Sequence, residues 1–139
     1  EASKRKVDPS RLIFAEKLTL NKHLARQSLG DLALDTFPYP GVTTSFESIL
    51  MGKPFLTMRG NNFNSRCGES INMNLGLNNF IANDESDYYE KALKFFEEPQ
   101  SIQKIGYDLR DYALNSPLLD VKSFSKNFYD KLYEIYRSH

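Results

Sequence analysis

One stretch limits what this chain can fold into more than any other: Tyr39-Pro40-Gly41-Val42-Thr43-Thr44-Ser45-Phe46-Glu47-Ser48-Ile49-Leu50-Met51-Gly52. Ahead of it lies the apolar run Leu32-Ala33-Leu34-Asp35-Thr36, which reads as a buried strand. Pro40 and Gly41 stop that strand and turn the backbone. Thr43, Thr44 and Ser45 suit a helix N-cap or first turn. Phe46, Ile49 and Leu50 follow at i, i+3 and i+4, the spacing of one helix face. Gly52-Lys53-Pro54 ends the helix. The order is therefore strand, tight loop, exposed helix start. Free N–H groups and the positive end of the helix dipole meet at the carboxyl end of a strand, a geometry that binds phosphate. The Thr43 and Thr44 hydroxyls add donors, and Glu47, one turn on, can accept from a sugar's vicinal hydroxyls. The plain alternative is an ordinary capped helix. No Gly-x-Gly-x-x-Gly and no Gly-Lys-Ser/Thr pair is present, so neither common phosphate fingerprint applies.

The remaining elements fall into an alternating order. Residues 1–6 read as the tail of a helix. Strands are expected at Arg11–Ala15, Leu32–Thr36, Pro54–Met58 and Phe80–Ala82. Helices are expected over Lys22–Ser28 with Asn21 as N-cap, through Met51, over Ser65–Leu75, from an Asn83 or Asp84 cap to Glu98, from Pro99 to Leu114, and over Val121–Arg137. In the last helix Val121, Phe124, Phe128, Leu132 and Ile135 form one stripe expected to be buried, flanked by Tyr129, Tyr133 and Tyr136 as packing aromatics. Strands alternating with helices predict an α/β, Rossmann-like parallel sheet with helices on both faces. Four strands are few for such a sheet, so part of the domain is expected to lie ahead of residue 1.

At 139 residues the chain suits one domain, and 18 basic side chains balance 18 acidic ones. That balance gives no general pull toward nucleic acid or membrane. A single cysteine, Cys67, excludes an intrachain disulfide and fits a reducing compartment, so a cytoplasmic location is expected. Cys67 is either a nucleophile or, more simply, a small apolar helix residue. No apolar run reaches membrane-spanning length, and the polar start Glu1-Ala2-Ser3-Lys4-Arg5-Lys6 has no signal-peptide core.

Metal ligands do not cluster: His23 and His139 are far apart, and the Asp31/Asp35 pair is weak support. Asp35, at a strand end beside the main loop, either orients a ligand or caps the loop backbone. His23 and Arg26 share one helical face at i, i+3, on a helix expected to start at the carboxyl end of the Arg11–Ala15 strand. Parallel sheets gather ligands at that edge. An imidazole can stack on a base, and a guanidinium can donate to base carbonyls or phosphate. Two strand ends would then supply base and phosphate contacts.

Further residues fall in a familiar order: Arg11-Leu12-Ile13-Phe14-Ala15, His23-Leu24-Ala25-Arg26, Leu32 through Tyr39, Thr43-Thr44, Gly52-Lys53-Pro54-Phe55-Leu56-Thr57, Ser65-Arg66, Leu75-Gly76-Leu77, Phe80-Ile81-Ala82, Glu85–Tyr89 and Ser116-Pro117-Leu118. Together they resemble the carboxyl-terminal catalytic half of the O-linked N-acetylglucosamine transferase family, Spindly-like and bacterial members included. The resemblance covers nearly the whole chain. It implies the GT-B architecture, two Rossmann-like domains across a cleft. Residues 1–139 would form a partial second domain that holds the UDP-sugar donor, with 121–137 as its C-terminal helix. Full-length members carry tetratricopeptide repeats ahead of the catalytic part.

The resemblance also implies a chemistry. No metal or other cofactor is needed, and a protein Ser or Thr hydroxyl attacks the anomeric carbon with inversion as UDP leaves. By position, His23 packs on the uracil face with Arg26 beside it, the Leu18 backbone reads the uracil edge, and Thr43 and Thr44 hold the diphosphate. Glu47 stands where the family commonly has a ribose-binding Asp. Two positions depart: Leu20 replaces a lysine of animal members, and Val42 replaces a histidine common before the paired threonines. The family's phosphate-contacting lysine and acceptor-side domain lie ahead of residue 1, so the chain alone is not expected to catalyse transfer. The implied partners are UDP-N-acetylglucosamine or a related nucleotide sugar and, through other domains, a protein acceptor; no nucleic acid or membrane is implied. Two alternatives stay open: a non-catalytic docking module on a decayed site, and a GT-B enzyme with a small-molecule or glycan acceptor. The last helix is expected to pack toward the first domain, leaving aromatic surface in this chain that favours self-association.

Overall fold

Phe55 and Leu56 are neighbours on one strand, and only 1% and 0% of their surfaces are exposed. Successive strand residues point to opposite faces, so both faces of this strand are covered. That is the signature of the centre of a parallel α/β sheet. The computed structural model describes residues 1–138, and His139 lies outside the described residues. Among the described residues three short strands, β1 (Ala33–Leu34), β2 (Phe55–Met58) and β3 (Ile81–Ala82), lie in the order β1-β2-β3. Both pairings are parallel, with Ala33 opposite Phe55 and Thr57 opposite Ile81.

Among the described residues six α-helices accompany the sheet: α1 (Leu20–Gln27), α2 (Thr43–Leu50), α3 (Cys67–Asn74), α4 (Glu85–Glu97), α5 (Pro99–Leu114) and α6 (Val121–Arg137). α2, α3 and α4 pack on β2, and α5 packs on α2 and α4. The core joins Ile49 of α2, Phe55 of β2, Ile71 of α3 and Leu75 just after it, and Leu109 and Ala113 of α5. Fully burying such side chains contributes about 1.5–3 kcal/mol each. Asn72 ties the layers: its amide donates to Phe55 O at 3.0 Å and to Phe80 O at 3.2 Å. Local signals set the helix ends. Asp84 caps α4 by accepting from the Asp87 N–H at 2.9 Å, and Gly76 turns the chain beyond α3 at φ 66°.

Four expectations are corrected. Arg11–Ala15 is not a strand: Pro9–Arg11 forms a short 3-10 turn and the apolar residues stand in water, Ile13 89% and Phe14 91% exposed. A strand needs a neighbour's hydrogen-bonding edge, and the run pairs with none of the described strands. Residues 1–6 hold a 3-10 turn over Ser3–Arg5 in place of a helix tail. α1 starts at Leu20 after Thr19, not after Asn21. The α6 stripe is not buried: Val121, Phe124, Phe128, Leu132 and Ile135 are 47–70% exposed. The pattern makes the helix, but burial requires an opposing surface. Among the described residues no helix is long and apolar enough to cross a membrane.

Candidate functional site

Between β1 and α2 the chain makes a loop closed by its own hydrogen bonds. The Thr36 hydroxyl donates to Tyr39 O at 2.7 Å, and the Ser45 hydroxyl donates to Gly41 O at 2.9 Å. The Gly41 N–H donates to Asp35 Oδ1 at 2.7 Å, and the Thr57 hydroxyl donates to Asp35 Oδ2 at 2.8 Å. Asp35 is therefore the backbone cap of this loop. Tyr88 of α4 supports it from behind, donating to Asp35 O at 2.9 Å and meeting Phe37 edge-on at 5.5 Å. Burial, and then the Asp35 charge, push the Tyr88 phenol up to about 12.

Thr43, Thr44 and Ser45 occupy the first turn of α2, and the cap position falls to Val42, whose side chain offers no acceptor. A Ser, Thr, Asn or Asp cap is worth about 1 kcal/mol over an apolar one. This helix forgoes it, and its leading N–H groups are left for an acceptor from outside the helix. Thr43 and Thr44 are both exposed.

α1 lies against α2 and brings the other predicted residues to it. His23 Nε2 is 3.4 Å from Glu47 Oε2, with the two side chains 32% and 21% exposed. Arg26 donates to His23 Nδ1 at 3.0 Å and to Glu16 O at 2.9 Å. With Nδ1 accepting from Arg26, the proton of a neutral imidazole sits on Nε2, which lies 3.4 Å from both the Glu47 carboxylate and the Gln27 side-chain amide nitrogen. The Ser48 hydroxyl donates to Gln27 Oε1 at 3.0 Å, a second tie between the helices. Among the described residues no strand end seats α1, contrary to expectation. His23 and Gln27 hold it against α2 through Glu47 and Ser48, and Arg26 ties it to the Glu16 carbonyl just ahead of it. Leu18 lies in the irregular stretch before α1, 39% exposed. Leu20 and Val42 are 61% and 43% exposed, so neither departure from the expected polar residue has been absorbed into the core.

The sequence reading missed Glu69. It is 2% exposed and accepts from Arg66 Nε at 2.7 Å and from Arg59 Nε at 2.7 Å. Hydrogen bonds from Arg66, and then the charge of Arg59, hold its carboxyl below its ordinary value. The i, i+3 spacing of Arg66 and Glu69 was the available signal. A cleft of about 710 Å³ runs beside this cluster from Val42 and Phe46 to Asn62, Phe63 and Arg66. His23 and Arg26 line a separate cleft of about 290 Å³ with Lys53. No group of three or more His, Cys, Asp or Glu among the described residues is placed to hold a metal ion.

The fold is an α/β parallel sheet with flanking helices, and an uncapped helix start beyond a strand's carboxyl end is a geometry at which anions can bind. The particular family follows from comparison with known proteins. The model of glycosyl transferase family 41 matches residues 1–128, and the chain belongs to that family. It is 36% identical over 133 residues to the probable UDP-N-acetylglucosamine–peptide N-acetylglucosaminyltransferase SPINDLY of Solanum lycopersicum, covering 95% of this chain and 14% of the relative. It is 26% identical over 135 residues to the UDP-N-acetylglucosamine–peptide N-acetylglucosaminyltransferase of Caenorhabditis elegans, covering 97% of this chain and 12% of the relative. The structure superposes with TM-score 0.89 on a mutant O-GlcNAc transferase of Thermobaculum terrenum, at 27% identity, covering 98% of this chain and 26% of that one. The chain thus spans 14% of the length of the Solanum relative it matches.

Proposed function

We propose that this chain is the donor-binding part of an inverting, metal-independent protein O-glycosyltransferase. The donor is a UDP-sugar, N-acetylglucosamine or a related sugar, and the acceptor is a Ser or Thr hydroxyl. The observation that carries this is the meeting of α1 with α2, one turn beyond the start of α2. A base-stacking candidate, His23, is joined through Glu47 to the helix whose first turn holds Thr43 and Thr44. Both edge nitrogens of the imidazole face partners, which leaves the ring faces for stacking on uracil. Arg26 fixes that ring and the approach to Leu18, whose backbone reads the uracil edge. Glu47 keeps one carboxylate oxygen for ribose.

In the reaction the acceptor oxygen attacks the anomeric carbon as the bond to the UDP oxygen breaks, and the hydroxyl proton passes to the departing diphosphate or to solvent. A single displacement inverts the centre. Negative charge grows on the departing phosphate, where the Thr43 and Thr44 N–H and hydroxyl groups stand preorganised. Such donors cost no reorganisation at the moment of reaction. The relatives in Solanum lycopersicum and Caenorhabditis elegans are each named as UDP-N-acetylglucosamine–peptide N-acetylglucosaminyltransferases, which supports the donor and acceptor classes. Calorimetric titration of UDP into the chain tests the proposal: saturable heat that disappears in Thr43→Ala/Thr44→Ala supports it, and heat unchanged in the double variant refutes it.

A further inference from the structure

The Asp35 carboxylate stands behind the loop that leads into α2, and the chain is shaped to leave it there. One oxygen accepts from the Gly41 N–H at 2.7 Å and the other from the Thr57 hydroxyl at 2.8 Å. Gly68 leaves space for it: a Cβ there would lie 2.8 Å from Asp35 Oδ2 and overlap the Thr57 hydroxyl. Gly41 is equally confined, since a Cβ there would overlap the Thr44 hydroxyl and lie 3.0 Å from Ser45 Oγ. The end of β1, the middle of β2 and the start of α3 converge on one acidic group. Its bond to Gly41 lies directly ahead of Thr43 and Thr44.

A carboxylate beside an anion site opposes binding by its charge. Its retention there needs an offsetting role. The Gly41 bond supplies one: hydrogen bonds to ionised acceptors are roughly twice as strong as neutral ones, and this one sets the orientation of the residue that enters the helix. We infer that Asp35 is a positioning residue for the donor's diphosphate. It fixes Gly41, and through it the aim of the first α2 N–H groups, without touching the ligand. The inference rests on the donor-site proposal and deepens it.

The test measures the affinities of UDP and of uridine, which lacks phosphates, by NMR titration of the unaltered chain, Asp35→Ala and Asp35→Asn. The expected result for alanine is a loss of roughly tenfold or more for UDP with uridine held within about twofold. Asparagine keeps an acceptor for the Gly41 N–H and retains more UDP affinity than alanine does. Should alanine not fold, Asp35→Ser, whose hydroxyl is too short to reach Gly41, takes its place. Equal losses for UDP and uridine, or no loss in the alanine or serine variant, overturn the inference alone. An unaltered chain that binds neither ligand overturns the donor-site proposal, and the inference with it.

Discussion

His23 Nε2 sits 3.4 Å from Glu47 Oε2, across the packing of α1 on α2. Neither helix carries this pair by itself. It exists because Gln27 and Ser48 hold the helices together and Arg26 fixes the other side of the imidazole. The base and phosphate halves of the proposed site are thereby joined through one contact.

The contact orders two substitutions. His23→Ala removes the stacking surface, and UDP affinity is expected to fall by roughly ten- to a hundredfold, the range of one lost aromatic stacking contact. Glu47→Gln keeps the volume but weakens the hold on the ring and the contact to ribose, for an expected loss of about three- to tenfold. Isothermal titration of both variants checks the order; a larger loss for Glu47→Gln contradicts it.

Val42 gives a cleaner electrostatic prediction. A carboxylate at this cap position favours the positive helix end by about 0.3–1 kcal/mol, so Val42→Asp is expected to hold or slightly raise the melting temperature. The same charge competes with and repels a diphosphate, and UDP affinity is expected to drop at least about tenfold. Thermal denaturation and titration on one sample separate the two effects.

Glu69 sets an acid limit on stability. Its folded carboxyl titrates below its ordinary value, so its contribution is present above the unfolded pKa and is lost as pH falls through the folded one. Urea unfolding between about pH 6 and pH 3 is expected to show this decline, since ordinary carboxylates titrate near 4.3. Glu69→Gln removes the charge between Arg59 and Arg66, costs about 1–3 kcal/mol near neutral pH, and flattens the acid slope.

Gly106 and Gly52 make a reciprocal contact between α5 and the turn after α2. A Cβ on Gly106 would lie 2.7 Å from Gly52 O, and one on Gly52, at φ 72°, would lie 2.9 Å from Gly106 O. Gly106→Ala must push α5 off α2, at an expected cost of about 1–3 kcal/mol. The urea midpoint is expected to fall with the slope unchanged.

The parts of this molecule that were legible in the sequence are those decided locally. Pro40-Gly41 and Gly52 bound α2, Asp84 caps α4, and Asp35 caps its own loop, all within a few residues. The illegible parts depend on distant partners. Arg11–Ala15 has strand-forming residues but pairs with none of the described strands, and the α6 stripe has the right period but stays 47–70% exposed. Glu69 took two guanidiniums from different segments. Within the site, sequence alone could put His23 and Arg26 on one helical face. It could not show that Arg26 spends its donors on His23 and Glu16, or that Glu47 closes the ring's other edge.

The most direct test is an NMR titration of UDP into the isotope-labelled chain, following each backbone amide. A donor nucleotide held between α1 and α2 is expected to give saturable shifts largest at Gly41 through Ser45 and around His23, with Leu18 also moving. Shifts confined to Asn62, Phe63 and Arg66, or no saturable shift at all, would contradict a donor site at the start of α2.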